Sequence, residues 1–474
     1  MRATYFGMLP VVLILAAPAV DAADPPVRKP NIVLILADDL GSHDVGCYGQ
    51  KKIRTPSIDR LAAEGMRFTQ AYAGSPVCAP SRCCLMTGKH GGHAYIRANQ
   101  EVKPEGQTPI PDSEITLAEL LKKEGYATGA IGKWGLGPPG SEGDPLKQGF
   151  DFFFGYNCQR HAHSHYPTYL WRNDRRIALE GNDGKTGRQY SHDLFEAEAL
   201  RFLKEHKDRP FFLYLPFTIP HVAIQVPEDS LAEYKGKWDD PPYQGGRGYL
   251  PHPAPRAGYA AMVTRMDRTV GRILDLLKEL GLDDNSLVLF SSDNGPAPGG
   301  VGGSDSAFFE SAGPLRGLKG SVYEGGIRVP LLARWPGKIK AGTVSDHVCY
   351  FPDLMPTVME LIGAAGRVPQ GIDGVSFAPT LLGRPEKQRL PEYLFWEYTG
   401  SGGQQAVRLG DWKGVRTNLH KGNTKIELYN LKDDPSEQRD VADRHPEIVK
   451  RIETIMNTAR VPSKQFPIKV LDGR

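Results

Sequence analysis

The chain has 474 residues, of which 40% are hydrophobic and 24% are charged, and its formal net charge at pH 7 is +3. This composition is ordinary for a globular protein, and the small net charge gives no electrostatic reason to expect nucleic acid or an acidic membrane surface as a partner. With six cysteines, the chain is not a disulfide scaffold. One disulfide has room to form, but the sequence does not identify its members.

The first 22 residues have the pattern of a cleaved signal peptide. Arg2 supplies the positive start, Met8 to Ala17 is a short apolar run, and Val20 to Ala22 are the residues before the expected cleavage point. The apolar run is short for a membrane span, and no later segment reaches about 18 apolar residues. We therefore expect a periplasmic or secreted protein without stable membrane insertion.

From residue 31 onward, short apolar runs alternate with amphipathic helices. Strands are predicted over residues 31–37, 126–133, 211–217 and 286–292, and helices over 55–65, 116–125, 191–206 and 259–280. Ser191 and Thr116 are predicted helix caps, the latter in a capping box. This alternation predicts an α/β fold in which a large, mostly parallel sheet is sandwiched by helices.

The pattern changes near residue 380. Residues 407–416 and 426–431 alternate like strands of a small antiparallel sheet, and residues 442–458 read as a final helix. We therefore predict a catalytic α/β domain over residues 28–380. A smaller C-terminal α+β subdomain, with an antiparallel sheet plus a helix, is predicted over residues 381–474.

Four predicted strands lead into polar residues. These are Asp38 and Asp39, Lys133, His221, and the pair Asp293 and Asn294. In open parallel sheets, ligands bind beyond the carboxyl ends of the strands, so we expect these side chains to meet. The acidic and amide groups offer only oxygen ligands, which suit Ca²⁺ or Mg²⁺ better than zinc.

The stretch SPVCAPSRCCLMTG, residues 75–88, contains three of the six cysteines. Pro80 suits the first turn of a helix and Gly88 its end, which places Cys78 at a helix N-terminus, where anions bind. Arg82, Lys133 and Lys319 add positive charge for a tetrahedral oxyanion. These residues predict hydrolysis of an anionic ester, and they leave phosphate and sulfate both open.

Several short motifs point to one family. They are ADD (37–39), CAPSRCCLMTG (78–88), GKW (132–134), PH (220–221), SSDNG (291–295), GLKGSVYEGGIRVP (317–330) and LYNLKDDPSEQ (428–438). Because it contains these motifs in this order, the chain resembles the formylglycine-dependent sulfatases of the alkaline phosphatase superfamily. The resemblance implies an alkaline phosphatase-like fold and an arylsulfatase-type sulfuric ester hydrolase.

The resemblance also assigns roles. Cys78 is expected to be converted to formylglycine by a maturation enzyme, and its hydrate to attack sulfur. Residue 78 and four oxygen-bearing residues would bind the cation, normally Ca²⁺ rather than Mg²⁺; the four are Asp38, Asp39, Asp293 and Asn294. Arg82 would help to hold the hydrate. Lys133, His221 and Lys319 would bind the sulfate, with His221 or Lys319 as the general acid.

One position departs from the family. Many members have a histidine two residues after the GKW lysine, where this chain has Gly135. The histidines His161, His163 and His165 would share one face if their segment is extended, and we expect His163 or a neighbour to replace the missing group. Residues after the CAPSR helix, among them His93 and Arg97, are further candidates for substrate contacts.

Two rivals stay open. One is a phosphate or phosphonate ester hydrolase of the same superfamily, although Cys78 and Asn294 favour a sulfatase. The other is a non-catalytic protein that binds sulfated carbohydrate. The expected substrate is a sulfated small molecule or glycan, and a sulfated sugar or polysaccharide is favoured over a steroid. The sequence does not indicate the sulfate position, endo or exo action, or the oligomeric state.

Overall fold

The structure is a computed structural model that describes residues 1–7, 28–246 and 248–473. The predicted signal peptide falls mostly on residues 8–27, outside the described residues. Within the described residues, no helix combines the length and hydropathy needed to cross a bilayer. All six cysteines lie in the described part of the chain, and each is a free thiol, so no disulfide links this fold.

The described residues form sixteen strands. They are β1 (Asn31–Ala37), β2 (Met66–Phe68), β3 (Ala71–Tyr72), β4 (Ala127–Lys133), β5 (Phe152–Tyr156), β6 (Tyr169–Arg172), β7 (Arg175–Ala178), β8 (Phe211–Pro216), β9 (Ser286–Ser292), β10 (Leu331–Arg334), β11 (Thr343–Ser345), β12 (Cys349–Tyr350), β13 (Leu394–Tyr398), β14 (Gln404–Leu409), β15 (Trp412–Arg416) and β16 (Glu427–Asn430).

The described residues also form twelve α-helices. They are α1 (Pro56–Ala63), α2 (Cys78–Thr87), α3 (Leu117–Lys123), α4 (Ser191–Glu205), α5 (Glu228–Leu231), α6 (Pro255–Glu279), α7 (Ser306–Phe309), α8 (Glu324–Ile327), α9 (Leu354–Leu361), α10 (Ala378–Leu381), α11 (Pro446–Thr458) and α12 (Lys469–Asp472). Short 3₁₀ turns connect several of them, including one at His161–His163.

A ten-stranded sheet forms the centre of the molecule, in the order β11-β2-β10-β9-β1-β8-β4-β5-β6-β7. The five strands from β9 to β5 are parallel, whereas β10 and the β6–β7 hairpin run antiparallel at either side. The predicted fold class is therefore confirmed, with antiparallel additions at both edges. Central strands are apolar on both faces because helices cover both.

Alternation along β1 shows the two covered faces. Val33 and Ile35 pack in the same core as residues of α1, α4 and α6. Ile32 and Leu34 point the other way, into a second core with residues of α2, α3 and α9. Successive side chains of a strand point to opposite faces, so a single apolar run contributes to both cores.

The C-terminal strands β13 to β16 form a separate four-stranded antiparallel sheet, as the sequence predicted. Helix α11 packs on one face of this sheet through Ile452 and Met456. The other side reaches the loop that carries Lys319, because the Gln404 amide donates to Gly320 O at 2.8 Å and accepts from Val322 N at 3.2 Å. The small sheet thereby helps to position a residue of the candidate site.

Helix boundaries follow the predicted caps with one correction. Thr116 and Glu119 form the predicted capping box, and the Cys78 helix ends at Gly88, whose φ is 69°. Ser191, predicted to cap a helix, is instead the first residue of α4; the cap position is Tyr190, without a side-chain capping bond. The hydroxyl of Ser191 is buried and unpartnered, so the helix start is determined by packing rather than by a cap.

We expect His192, in α4, to make stability fall in acid. Its ring is fully buried, Nε2 lies 3.0 Å from the Thr269 hydroxyl, and burial, aided by the charge of Arg265, lowers the pKa to about 3. As the pH falls, the unfolded state therefore binds the proton before the folded state does. The stability that the neutral His192 ring gives the folded state is complete above about pH 6.5 and is lost as the pH falls towards 3.

When the pH is lowered from 6.5 to 4.5, the free energy of unfolding of the wild type should fall. In His192→Gln this fall should be smaller by about 2 to 3 kcal/mol. Urea unfolding at both pH values measures this difference. Identical losses in the two proteins would show that His192 titrates normally in the folded state.

Candidate active site

Cys78 opens helix α2 at the carboxyl edge of the large sheet. The residue is 1% exposed, and the residue before it is extended, so the chain turns into the helix directly at the thiol. The Asn99 side chain accepts a hydrogen bond from Ala79 N at 3.0 Å and satisfies one free amide of the first turn. Sequence reasoning missed Asn99, since it lies 20 positions along the chain from Ala79.

Three carboxylates and an amide meet beside Cys78. Asp38 and Asp39 follow β1, and Asp293 and Asn294 follow the neighbouring parallel strand β9. Asp39 N donates to Asp293 Oδ1 at 3.2 Å, and Asn294 Nδ2 donates to Asp39 Oδ1 at 2.8 Å. All four residues are at most 1% exposed. The sheet therefore brings the four predicted ligands together.

Three cationic side chains surround this acidic group. Lys133 Nζ lies 2.5 Å from Asp38 Oδ2, and Lys319 Nζ lies 2.7 Å from Asp39 Oδ1. Arg82 is fully buried, and its guanidinium donates to Asp293 Oδ2 from Nε at 3.1 Å and from Nη2 at 2.8 Å. Its Nη1 donates to the Lys133 carbonyl. The Arg82 fork thus holds Asp293, and its Nη2 also lies 3.5 Å from Asp38 Oδ2.

The Cys78 thiol is enclosed by the same charges. Its Sγ lies 3.4 Å from Asp38 Oδ1 and 3.5 Å from Lys319 Nζ. Burial, reinforced by the charge of Asp38, raises the pKa of the thiol to about 12. Burial alone would also raise the pKa of Asp38, but the charges of Lys133, His221 and Arg82 together hold it well below its usual value.

The acidic group fits a hard divalent cation. Its donors are carboxylate and amide oxygens, and Asn294 Oδ1 is buried without a hydrogen-bond partner. One ligand atom from each of Asp38, Asp39, Cys78 and His221 lies within 4.8 Å of the others. The backbone of Asp39 is left-handed, with φ of 62°, an uncommon conformation for a side-chain-bearing residue and one found at functional sites.

His221 follows β8 and completes the group. Its Nε2 lies 3.5 Å from Asp39 Oδ2, and its Nδ1 donates to the Val222 carbonyl. His163 stacks on the His221 ring at 4.9 Å between centroids, and Tyr249 lies 5.2 Å from the His163 ring. Burial, reinforced by the proximity of His221 and by the charges of Lys133 and Lys319, lowers the pKa of His163 to about 2.

Sequence comparison decides the family. The Sulfatase family model matches residues 30–364. The chain belongs to the sulfatase family. A second family model, N-sulphoglucosamine sulphohydrolase, C-terminal, matches residues 318–461 of this sulfatase.

Two relatives and one solved structure agree with this assignment. The N-acetylgalactosamine-6-sulfatase of Canis lupus familiaris is 34% identical, covering 90% of this chain and 84% of that protein. The N-acetylgalactosamine-6-O-sulfatase of Bacteroides thetaiotaomicron is 30% identical, covering 91% and 93%. The crystal structure of Ps i-CgsB in complex with k-i-k-neocarrahexaose has a TM-score of 0.76 at 30% identity, covering 91% and 93%. The protein is therefore a sulfuric ester hydrolase.

The histidine-rich segment of the sulfatase is not extended, so the condition under which the three histidines would share one face is not met. Residues 161–163 form a 3₁₀ turn, so the three histidines face different neighbours. His163 is the one that stacks on His221. His165 lies behind it, with Nε2 donating to the His221 carbonyl at 3.0 Å. His161 packs against Tyr169, with Nδ1 3.6 Å from Glu105.

His93, a predicted substrate contact, lies at the other end of α2. Its Nδ1 is 2.8 Å from Asp373 Oδ1, and Asp373 N donates to the carbonyl of Gly88, which ends the helix. A ten-residue helix is about 15 Å long, which separates this pair from Cys78. His90 stacks on His93 at 4.5 Å. Gly92 N donates to His90 Nδ1, so the ring proton lies on Nε2, an arrangement unsuited to a metal at that atom.

Arg97, the other predicted contact, is 2% exposed, and four of its five N–H donors are occupied. Nη1 donates to Glu397 Oε1 at 2.7 Å and to Val461 O at 2.9 Å. Nε and Nη2 donate to the carbonyls of Ala94 and Gly92. Through these bonds Arg97 links the segment after α2 to the C-terminal sheet. A contact between Arg97 and the substrate would require some of these bonds to break.

The space beside Gly135 is filled by a residue that the sequence analysis did not single out. Gly135 has φ of 77°, and a Cβ atom there would lie 2.2 Å from Nε2 of Gln159. The three nearest atoms all belong to Gln159, so neither His163 nor its neighbours occupy this space. The position of Gln159 in the sequence offered one indication of this contact. Gln159 follows strand β5, which lies beside β4, the strand that ends in Lys133.

Proposed function

We propose that this sulfatase hydrolyses the sulfate ester of a sulfated sugar, using a formylglycine formed at Cys78 and a divalent cation. The observation that carries the proposal is the position of Cys78, at the first residue of α2, within 3.5 Å of both Asp38 and Lys319. A maturation enzyme that generates formylglycine would supply the aldehyde. Its hydrate provides the hydroxyl that attacks sulfur.

The carboxylates and Asn294 would hold the cation, and their oxygen atoms favour Ca²⁺, with Mg²⁺ as the alternative. Lys133, Lys319 and His221 lie around residue 78, where they would bind the sulfate oxygens and offset charge that develops on them. Arg82 keeps Asp293 in place through its two donors. His221 or Lys319 would protonate the leaving alcohol.

The substrate class rests on the relatives. Two are named for the 6-sulfate of N-acetylgalactosamine, and one solved structure contains a neocarrahexaose, a carbohydrate. We therefore propose a sugar sulfate, with N-acetylgalactosamine 6-sulfate as the first compound to test. The signal-like N-terminus supports action in the periplasm or outside the cell.

The test is hydrolysis by protein that has been coexpressed with a formylglycine-generating enzyme and supplied with Ca²⁺. The panel contains 4-nitrophenyl sulfate, the 6- and 4-sulfates of N-acetylgalactosamine, oestrone sulfate, and 4-nitrophenyl phosphate. Turnover of a sugar sulfate above all other compounds supports the proposal. Preference for the phosphate would move the protein to the phosphate and phosphonate hydrolases, and tight sugar binding without turnover would support a binding protein.

Removal of the His163 ring should slow the reaction. Because this ring stacks on His221 at 4.9 Å, His163→Ala should lower turnover by about 10²-fold if it takes part in proton transfer. Steady-state kinetics with 4-nitrophenyl sulfate measures the effect. His445→Ala, which removes a ring packed on Trp412 in the C-terminal subdomain, is the control. An unaltered rate in the His163 variant would remove this residue from the mechanism.

A further inference from the structure

Gln159 reaches the catalytic edge of the sheet from strand β5. Strands β4 and β5 are parallel neighbours, and Lys133 pairs with Tyr156 at their carboxyl ends. Trp134 N donates to the Tyr156 carbonyl at 2.9 Å, so the two segments leave the sheet side by side. Gly135 and Gln159 follow within three residues of this pair. The strand register therefore explains why the Gln159 amide lies against Gly135.

The amide of Gln159 has no hydrogen-bond partner. The residue is 6% exposed, and both Nε2 and Oε1 are buried and unsatisfied. Leaving a buried polar group unpaired costs about 1 to 3 kcal/mol. The adjacent Arg160 turns outward and pairs with Glu101 at 2.7 Å, so the chain orients two neighbouring polar side chains differently. A buried amide without a protein partner has donor and acceptor capacity left for a ligand or an ordered water.

The position of the amide indicates that ligand. Gly135 lies two residues after Lys133, whose Nζ belongs to the charged group around Cys78. In many sulfatases a histidine occupies this position, and here the amide of Gln159 fills the space where its side chain would begin. An amide N–H can donate to a sulfate oxygen as an imidazole N–H does, but it cannot transfer a proton at neutral pH.

We propose that Gln159 is a sulfate-binding residue that takes the place of the missing histidine, with Nε2 donating to an oxygen of the sulfate group. Gly135 and Gln159 then form a matched pair, since any side chain at 135 would displace the amide. Proton transfer to the leaving alcohol rests on other residues of the site. This inference depends on the proposed function, because it takes the space between Lys133, His221 and Lys319 as the sulfate site.

The test is sulfate binding, measured without turnover. The Cys78→Ala protein, with Ca²⁺ present, is titrated with inorganic sulfate by calorimetry, with and without Gln159→Met. Methionine has a similar length but no amide. A hydrogen bond to a charged group contributes about 1.5 to 3 kcal/mol, so Gln159→Met should weaken sulfate binding by about 10- to 100-fold. Gln148→Met, at another buried glutamine with an unpartnered Oε1, should change it less than about twofold.

Two further results make the outcome decisive. Gln159→Glu places a carboxylate against the sulfate, so binding should be weaker than in the methionine variant and should partly recover as the pH falls. All three proteins carry Cys78→Ala, and they differ in having Gln159, Gln159→Met or Gln159→Glu. Equal sulfate affinity in the three would overturn the proposal. If no background binds sulfate, the anion site itself, and with it the proposed function, is wrong. Thermal unfolding of each variant checks the fold, and the glutamate variant provides the comparison if the methionine variant is unstable.

Discussion

Cys78→Ala should abolish sulfate ester hydrolysis, with kcat at least about 10⁴-fold below that of the matured wild type. The substitution removes the thiol that maturation oxidises and leaves a methyl group that is not converted to an aldehyde, while the fold should tolerate a smaller side chain at the start of α2. The carboxylates and lysines around position 78 stay in place, so the expected loss is in turnover rather than in folding.

Mass spectrometry supplies the matching measurement on the wild type. The tryptic peptide of residues 68–82 should have the mass expected for an aldehyde in place of the thiol. Cys84→Ala is the control, because this thiol is also buried in α2 but lies against the Gly74 carbonyl, away from the charged group. Full activity of a wild type that carries an unmodified Cys78 would contradict the proposed mechanism.

Removal of the divalent cation should have the second large effect. Chelation with EDTA, or Asp39→Asn, should lower kcat/KM by about 10³-fold or more, and added Ca²⁺ should restore the chelated wild type but not the variant. Lys133 and Lys319 pair directly with Asp38 and Asp39, at 2.5 and 2.7 Å. The same lysines are needed for the sulfate, so a cation that neutralises the carboxylates would free them.

Asp373→Asn is the control for this experiment, because Asp373 lies at the opposite end of α2 and accepts from His90 N. Metal content by mass spectrometry should fall in the Asp39 variant and stay unchanged in the Asp373 variant. Activity that survives exhaustive chelation in the wild type, with no metal detected, would show that the acidic group acts without a cation.

Local patterns predicted the central architecture because they act over short distances. The apolar run of β1, the capping box of Thr116 and the glycine that ends α2 are properties of a few adjacent residues, and each has the predicted form. The convergence of the strand-end residues also followed from one rule about parallel sheets. Alternation also predicted a C-terminal antiparallel sheet, but only over residues 407–416 and 426–431. The first stretch covers two strands, β14 and β15, and strand β13 was not predicted.

Side-chain directions in loops were less predictable. His161, His163 and His165 would share one face only in an extended segment. The 3₁₀ turn at 161–163 instead sends His161 towards Glu105 and leaves His163 stacked on His221. Arg97 was expected at the substrate but pairs with Glu397, 300 positions away. Such pairings depend on which segments the fold brings together, and spacing along the chain does not contain that information.

By itself, the sequence determined the family, and it predicted the position of the nucleophile and an oxygen-rich ligand set, because each prediction depends on a short motif at the end of a strand or the start of a helix. The tertiary structure alone decided that Arg82 holds Asp293 and that Gln159 fills the space beside Gly135. Both contacts join segments whose proximity arises from the order of strands in the sheet. The physical reason is that strand order brings distant residues together, whereas a motif records only its own neighbours along the chain.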